Sequence, residues 1–298
     1  MNTKIAHIPV LAKEALSYLA LKKGMVIADC TVGMGGHAKA ILEEIGDSGY
    51  LIGIDRDAEV LKEAKSVLSE IGSNFRLFHS NYKDLDFVLK TAGVEEVDGA
   101  LFDLGTSSFQ LVNAERGFSI KSDGSLDMRM DKNDPLKASD IVNRYSKYEL
   151  IDIFKKYGDE YFAARIAERI IRAREQGEIK STAQLAGIVE RALPYKYRFR
   201  RIHPATKVFM ALRIAVNNEI ESLEAGLSKI IPFLKKKARL CVISFHSIED
   251  RTVKNAFKEL AKLDVFRVLT KKPVQPREEE IMNNPRARSA KLRAAERI

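Results

Sequence analysis

Cysteine is scarce in this sequence of 298 residues, in which only Cys30 and Cys241 occur. Two thiols are too few for a disulfide-based fold, and both lie in or beside apolar segments, so we expect them to be reduced and buried. No uninterrupted apolar stretch approaches the roughly 20 residues of a membrane-spanning helix, and the N-terminal residues lack the apolar core of a secretion signal. These absences predict a cytoplasmic protein with no membrane partner.

Histidine is also scarce, and His7, His37, His79 and His203 are too dispersed along the chain to indicate a metal site. The sequence lacks internal repeats and low-complexity segments. With 45% hydrophobic and 31% charged residues, it has the composition of a soluble globular protein with one large or two ordinary domains. We therefore expect a site on a packed fold, without a bound metal.

The net charge of +9 is distributed unevenly along the chain. Residues 1–110 carry 11 Lys and Arg against 16 Asp and Glu, whereas residues 111–298 carry 39 against 25. An acidic first part and a basic remainder suggest that one region holds a small ligand while another faces a polyanion such as a nucleic acid.

Apolar segments of strand length alternate with helix-like segments in the first part of the chain. Near-continuous hydrophobicity is typical of strands buried on both faces of a mostly parallel sheet, and the helix-like segments end at glycines that can cap a helix. Strands are predicted at MVIADC (25–30), YLIGID (50–55), FRLFHS (75–80), GALFDL (99–104) and RLCVISF (239–245). This order predicts a doubly wound α/β fold.

The alternation stops near residue 110, and residues 136–231 have a helical pattern with short breaks. Strand character then returns, with FRVLTKKPV and AKLRAAERI as candidates for the last strands. We therefore predict a discontinuous α/β domain, residues 1–112 and 214–298. It is interrupted by an inserted helical substrate-recognition domain, residues 113–213.

The segment DCTVGMGGH, residues 29–37, lies between the first predicted strand and a predicted helix. Gly33, Gly35 and Gly36 allow close backbone approach and positive φ angles, and the start of the helix presents N–H groups to a ligand. Asp55, about 20 residues further on at the end of the second strand, can accept hydrogen bonds from both hydroxyls of a ribose. Together these features indicate a nucleotide-cofactor site.

NAD and S-adenosylmethionine both suit such a turn. Residues 33–38 nearly satisfy the G-x-G-x-x-G/A pattern of NAD-binding proteins, but that pattern is weak alone, and no residues for hydride chemistry follow. S-adenosylmethionine has no phosphate. A site for it needs glycine for close backbone approach, an acid that binds the ribose, and polar groups at the ends of further strands. Tyr82 can stack on its adenine and Asp103 ends the fourth strand, so S-adenosylmethionine is the favoured cofactor.

The segment FDLGTSS, residues 102–108, places an acid at the end of a buried strand, followed by glycine and three hydroxyls. An exocyclic amine of a nucleobase is a poor nucleophile because its lone pair is delocalised. Asp103 can accept a hydrogen bond from the amine and so localise the lone pair for attack on a methyl group. Ser107 and His246 are further candidates to assist. The alternative is that Asp103 binds only the cofactor.

Methylation at cytosine C5 is a competing chemistry that normally needs a cysteine nucleophile. Cys30 lies beside the glycine turn and Cys241 lies inside a predicted strand, so neither is placed for attack. Methylation of an amine is therefore favoured.

A basic segment from Arg191 to Asn218 contains seven Lys or Arg and no acid. Its first part alternates aromatic rings with cations, a pattern that suits RNA with unstacked bases. The C-terminal segment NNPRARSAKLRAAERI adds further cations. The candidates for RNA binding are Lys196, Arg198, Arg200, Arg201, Arg286 and Arg288.

Taken together, the motifs resemble the ribosomal RNA small subunit methyltransferase H family, and they cover nearly the whole chain in the expected order. Any one of them alone is unspecific, but the set is highly specific. The motifs are HIPVLAKEAL, DCTVGMGGH, GIDRD, DLGTSSFQL, ERGFS, LDMRMD, YGDEYFAARIAERI, HPATKVFMALRIAVNNE, VISFHSIEDR and NPRARSAKLRAAERI.

The resemblance implies a class I, Rossmann-like methyltransferase fold with an inserted helical domain. It implies N4-methylation of a cytosine in the decoding centre of 16S rRNA, with the rRNA or the small ribosomal subunit as partner. A homodimer and a monomer both stay open. The residues implied to hold S-adenosylmethionine are Gly35, Gly36, His37, Asp55, Tyr82, Asp103 and Gln110, of which Gln110 is suggested by the resemblance alone.

Two positions depart from the family pattern: Thr106 stands where valine is frequent, and Met210 stands where glutamine is common. Thr106 adds a hydroxyl near the predicted cleft, whereas Met210 removes an amide from a predicted substrate helix. Two other classes compete with the methyltransferase: a non-enzymatic RNA-binding assembly factor on a degenerate methyltransferase fold, and a dehydrogenase. The intact glycines with Asp55 and Asp103 argue against the first, and NAD binding without S-adenosylmethionine binding would favour the second.

Overall fold

The computed structural model of the protein describes residues 9–198 and 202–298. The chain divides into two compact units. The first contains the described residues up to Ser107 together with Ile220–Ile298, and the second is Ser108–Glu219. Within the described ranges, no helix is long and apolar enough to cross a membrane.

A mostly parallel sheet forms the centre of the first unit. Its seven strands within the described ranges lie in the order β3-β2-β1-β4-β5-β7-β6, with β7 antiparallel to both of its neighbours. The strands are β1 (Val26–Asp29), β2 (Tyr50–Asp55), β3 (Phe75–His79), β4 (Val97–Asp103), β5 (Leu234–Ser244), β6 (Phe266–Val268) and β7 (Lys291–Arg297). All seven predicted strands are present, and the predicted α/β class is confirmed.

Helices follow the strands of the first unit as the sequence predicts. They are α1 (Ala12–Leu19), α2 (Gly36–Ile45), α3 (Ala58–Ser69), α4 (Leu85–Ala92), α12 (Glu219–Ile230), α13 (Ser247–Lys262) and α14 (Glu278–Asn283). The second unit contains α5 (Ser108–Val112), α6 (Ala138–Arg144), α7 (Lys147–Gly158), α8 (Ala163–Arg174), α9 (Thr182–Ala192), α10 (Tyr195–Arg198) and α11 (Thr206–Asn217). The helical character predicted after residue 136 is present.

Two apolar clusters cover the two faces of the sheet. Ala28 and Ile52 belong to one cluster, whereas their chain neighbours Ile27 and Leu51 belong to the other, because side chains alternate between the faces of a strand. All four side chains are fully buried. Burial on both faces explains why the strands are nearly continuous runs of apolar residues.

β7 is also buried on both faces, although four of its seven residues are charged. The charged residue Arg293 is accommodated because its Nε donates to Asp250 Oδ1 at 2.7 Å. Arg293 is thus part of the interior of the first unit.

The second unit has an apolar core of its own, formed by α6, α7, α8, α9 and α11 with the preceding loop. Asn217 at the end of α11 ties this loop to the helices. Its side chain accepts from the Met130 N–H at 2.8 Å and donates to the Met128 carbonyl at 2.7 Å. These contacts satisfy a buried amide that would otherwise destabilise the core.

Candidate functional site

Three aspartates end three adjacent strands of the first unit. The strands lie in the order β2-β1-β4 and run parallel, so their carboxyl ends meet at one edge of the sheet. Asp55 ends β2, Asp29 ends β1 and Asp103 ends β4. In open α/β sheets this edge is where ligands bind.

The glycine turn after β1 adopts backbone angles that side chains disfavour. Gly33 has φ +55° and Gly35 has φ +86°, both in the left-handed region. A Cβ on Gly35 would lie 3.4 Å from Ala64 Cα of α3, so the turn also packs closely against that helix. Gly36 begins α2 directly after the turn.

Asp55 is held by the glycine turn. Its Oδ2 accepts from the Gly33 N–H at 2.8 Å, and its Oδ1 accepts from the Asp57 N–H at 2.9 Å. Burial raises the pKa of the Asp55 carboxyl to about 6, and the two N–H donors oppose that rise. Each oxygen keeps a further lone pair, so the carboxylate can still accept from two hydroxyls.

His37 and Asp103 contact each other through their side chains. Nδ1 of His37 lies 3.3 Å from Oδ2 of Asp103, and Nε2 of the same ring lies 2.9 Å from the Val10 carbonyl oxygen. Burial lowers the pKa of His37, but the hydrogen bond and charge of Asp103 outweigh it, so that the pKa is raised above 6.5. Among the described residues, Oδ1 of Asp103 is buried without a hydrogen-bond partner.

Asp29 lies at the same edge of the sheet as Asp55 and Asp103, and it was not among the residues predicted from the sequence. It is fully buried; its Oδ1 accepts from the Thr31 N–H at 3.1 Å, and its Oδ2 is without a partner among the described residues. Burial raises the pKa of Asp29 to about 7, opposed by the charge of His37. The sequence does contain a signal for a site residue here. Asp29 is the last residue of a buried strand and comes just before a glycine turn, so it lies at the ligand edge.

The C-terminal segment supplies a cation near Asp103. Arg286 Nη2 donates to the Thr106 carbonyl at 2.8 Å, and its positive charge interacts with that of Asp103. The structure thus brings Arg286, predicted as an RNA-binding residue, to the segment that follows β4. Arg288, two residues further on, is exposed.

Other predicted site residues have contacts of their own. Tyr82 is half-buried, and its ring packs edge-on against Phe102 with the centroids 5.6 Å apart. His246 caps α13: its Nδ1 accepts from the Glu249 N–H at 3.3 Å. Ser107 is half-buried in the first unit, and Gln110 is buried in α5 of the second unit.

The candidates for RNA binding on the second unit differ in their surroundings. Lys196 is exposed on α10, with its Nζ 5.2 Å from the centroid of the Tyr197 ring. Arg198 is half-buried and donates to the carbonyls of Leu193 and Arg191 at the end of α9. Arg200 and Arg201 lie outside the described residues.

Both cysteines are buried and reduced, as predicted. Burial raises the pKa of Cys30 and of Cys241 well above the ordinary thiol value. Because the thiolate is the nucleophilic form, burial disfavours both residues as the nucleophile that methylation at C5 requires.

Comparison with known proteins gives a consistent result. The model of the MraW methylase family matches residues 4–298. The chain is 47% identical over 309 residues to ribosomal RNA small subunit methyltransferase H from Halothermothrix orenii, covering 99% of each chain. It is 50% identical over 298 residues to the protein of the same name from Pseudothermotoga lettingae, again covering 99% of each.

The fold is also found among solved structures. The crystal structure of a candidate rRNA-methylase from Clostridium thermocellum is similar to this chain with a TM-score of 0.50 and 12% sequence identity, covering 98% of this chain and all of that one. At that level of identity the likeness concerns the fold alone. It agrees with the mostly parallel, seven-stranded sheet with flanking helices described above.

Proposed function

This chain belongs to the MraW methylase family, and from that premise we propose that it methylates the N4 amine of a cytosine in the decoding centre of 16S rRNA. It is a methyltransferase that uses S-adenosylmethionine. The name of its relatives supports small-subunit rRNA as the substrate, and the sequence motifs support the base and its position. The observation that carries the proposed chemistry is the buried Oδ1 of Asp103 at the ligand edge of the sheet, which has no hydrogen-bond partner within residues 9–198 and 202–298.

The residues at this edge fit S-adenosylmethionine. The cofactor supplies an electrophilic methyl group on a positively charged sulfur. Three acids at one sheet edge favour a cationic ligand. One oxygen of Asp29 and one of Asp103 lack a partner in the part of the chain that the structure describes, so both can accept from a hydrogen-bond donor of the ligand. We assign the ribose to Asp55, close backbone approach to Gly35 and Gly36, and the adenine to Tyr82. His37 and Gln110 complete the predicted set.

Asp103 is the residue that we assign to the acceptor amine. Its Oδ1 can accept a hydrogen bond from the exocyclic N–H and so localise the nitrogen lone pair for in-line attack. The main contribution is orientation, because the amine must face the methyl group along the reaction axis. The buried cysteines favour this chemistry over methylation at C5.

We further propose that the second unit binds rRNA through an aromatic-cation cluster, which consists of Tyr161, Phe162, Lys196 and Tyr197. The ring centroids of Tyr161 and Phe162 lie 5.0 Å apart, and those of Phe162 and Tyr197 lie 4.9 Å apart. Tyr161 is 86% exposed at the end of this series of rings. An exposed ring offers a face on which an unpaired base can stack, and Lys196 offers a charge for a phosphate.

The test is methyl transfer from labelled S-adenosylmethionine to two substrates: small ribosomal subunits from cells that lack this enzyme, and the naked 16S rRNA extracted from them. The product is digested to nucleosides and identified by mass spectrometry, and Asp103→Ala, which has no acceptor oxygen at this position, serves as the control. We expect N4-methylcytidine in at least one substrate, formed more slowly by about 100-fold or more with the variant.

Each outcome has a defined meaning. Labelled C5-methylcytidine or a methylated adenosine would contradict the proposed base chemistry. Cofactor binding without any labelled nucleoside would contradict rRNA as the substrate. Binding of the RNA without binding of the cofactor would favour the assembly-factor hypothesis.

A further inference from the structure

The His37 side chain lies between two hydrogen-bond acceptors. Nε2 faces the Val10 carbonyl at 2.9 Å, and Nδ1 faces the Asp103 carboxylate at 3.3 Å. A carbonyl oxygen can only accept, so Nε2 must carry a proton to make the first contact. A neutral imidazole has a single N–H, so the second contact requires one more proton, on Nδ1 or on the carboxyl group.

We propose that His37 is a positioning residue that shares this proton with Asp103 and thereby fixes the carboxylate with Oδ1 free for the acceptor amine. The inference rests on the proposed function, because it assigns Asp103 to the amine. His37 itself is 95% buried and both of its ring nitrogens are used within the protein, so its side chain acts through Asp103.

The proton resides on the imidazole in this arrangement. Asp103 is 19% exposed beside the ring, and its hydrogen bond and charge raise the pKa of His37. Asp29 of β1, when ionised, acts on His37 in the same direction, and Asp55 of β2 interacts with Asp29. The positive charge of Arg286 in the C-terminal segment interacts with Asp103. The surrounding acids thus favour the imidazolium form of His37.

Ionised Asp103 suits the reaction that we propose. A protonated carboxyl group would be a weaker hydrogen-bond acceptor for the amine. In a carboxylate held by an imidazolium, Oδ2 accepts from His37 and Oδ1 can accept from the amine. The hydrogen bond to Oδ2 also prevents rotation of the carboxylate about its Cβ–Cγ bond. Fixed orientation of this kind can change a rate by about 10- to 100-fold.

Two substitutions separate the contacts of His37. In His37→Asn the side-chain amide can donate from near the Nδ1 position to Asp103 but does not reach Val10. In His37→Gln the amide can donate from near the Nε2 position to Val10 but not to Asp103. We expect the kcat of His37→Gln to lie about 10- to 100-fold below that of His37→Asn, because only the asparagine variant keeps a donor to Asp103.

The protonation state can be measured without substrate or cofactor. Nitrogen NMR spectra of protein labelled at histidine are recorded across pH, and the His37 resonances are identified as those missing in His37→Gln. We expect both ring nitrogens to be protonated in the wild-type protein, with a pKa above the ordinary 6.5, and we expect that pKa to fall in Asp103→Asn.

The results divide clearly. A His37 ring that titrates at or below 6.5, or identically in wild type and Asp103→Asn, would overturn the shared proton. Equal kcat values for the asparagine and glutamine variants would overturn the positioning role. If the wild-type enzyme methylates no cytosine, the proposed function fails, and the NMR titration still decides whether the pair shares a proton.

Discussion

The backbone N–H of Gly33 donates to Oδ2 of Asp55 at 2.8 Å, and this bond joins the glycine turn after β1 to the acid that ends β2. The two features that the sequence predicts as separate parts of one cofactor site therefore stabilise each other. Asp55 has both a structural role in the turn and, in our proposal, a binding role toward the ribose.

We expect Asp55→Ala to weaken S-adenosylmethionine binding at least tenfold, because it removes the proposed ribose acceptor and the hydrogen bond to the turn. A hydrogen bond to a charged group contributes roughly 1.5–3 kcal/mol. Isothermal titration calorimetry measures the Kd. The matched control is Asp57→Ala, which removes the N-cap of α3 but no predicted ligand contact. If both variants bind the cofactor like wild type, Asp55 is not the ribose acceptor.

Asp103→Ala should lower kcat for methyl transfer by about 100-fold or more, the usual range for loss of a positioned proton-acceptor group. RNA affinity should change little, since the reacting amine is the only part of the RNA that the carboxylate contacts in our proposal. Steady-state kinetics and a filter-binding assay with the same RNA test this. Equal losses in kcat and RNA affinity would remove the catalytic role of Asp103.

Asp29→Asn should gain stability relative to wild type as the pH rises. The carboxyl pKa of about 7 in the folded state exceeds the ordinary 3.8, so its stabilising contribution is complete below 3.8 and is lost as pH rises through 7. Asparagine does not ionise and avoids that loss.

Denaturant unfolding of the Asp29→Asn variant and wild type between pH 4 and pH 8 measures the effect. The stability difference should shift in favour of the variant by at most about 4 kcal/mol, because burial raises the pKa of Asp29 from 3.8 to about 7. The exposed Asp47→Asn is the control and should show no such trend. A pH-independent difference for Asp29→Asn would mean that Asp29 stays ionised, or stays protonated, throughout this range.

Lys196→Ala should reduce the salt dependence of RNA binding. Loss of one phosphate contact lowers the slope of log K against log salt by about 0.7 for single-stranded RNA. Lys62→Ala, an exposed lysine on α3, is the control and should leave the slope unchanged. An unaltered slope for Lys196→Ala would show that this lysine does not contact a phosphate.

Tyr161→Ala tests the other half of the aromatic-cation cluster. Loss of one stacked base should weaken RNA binding by about 1–3 kcal/mol while the salt slope stays the same, because a ring carries no charge. Tyr161→Phe is the matched variant and should bind like wild type. If the phenylalanine variant binds as weakly as alanine, the hydroxyl and not the ring is the contact.

Much of the first unit was predictable because its elements depend on local patterns. Strands buried on both faces are short apolar runs, so β1–β5 could be located from hydrophobicity alone. Since parallel strands end at one edge, the placement of Asp55 and Asp103 at that edge followed from their positions in the chain. The glycine turn was predictable because few residues other than glycine adopt positive φ angles.

Tertiary structure decided what the charged side chains contact. The sequence has no signal that His37 lies between Val10 and Asp103, or that Arg286 donates to Thr106, 180 residues away. Arg198 and Lys196 lie in the same basic segment of the sequence, but Arg198 donates a hydrogen bond to the Leu193 carbonyl at the end of α9. Local pattern therefore determined where the acids and cations lie along the elements, whereas burial and long-range contacts, which depend on how the elements pack, decided their partners and protonation.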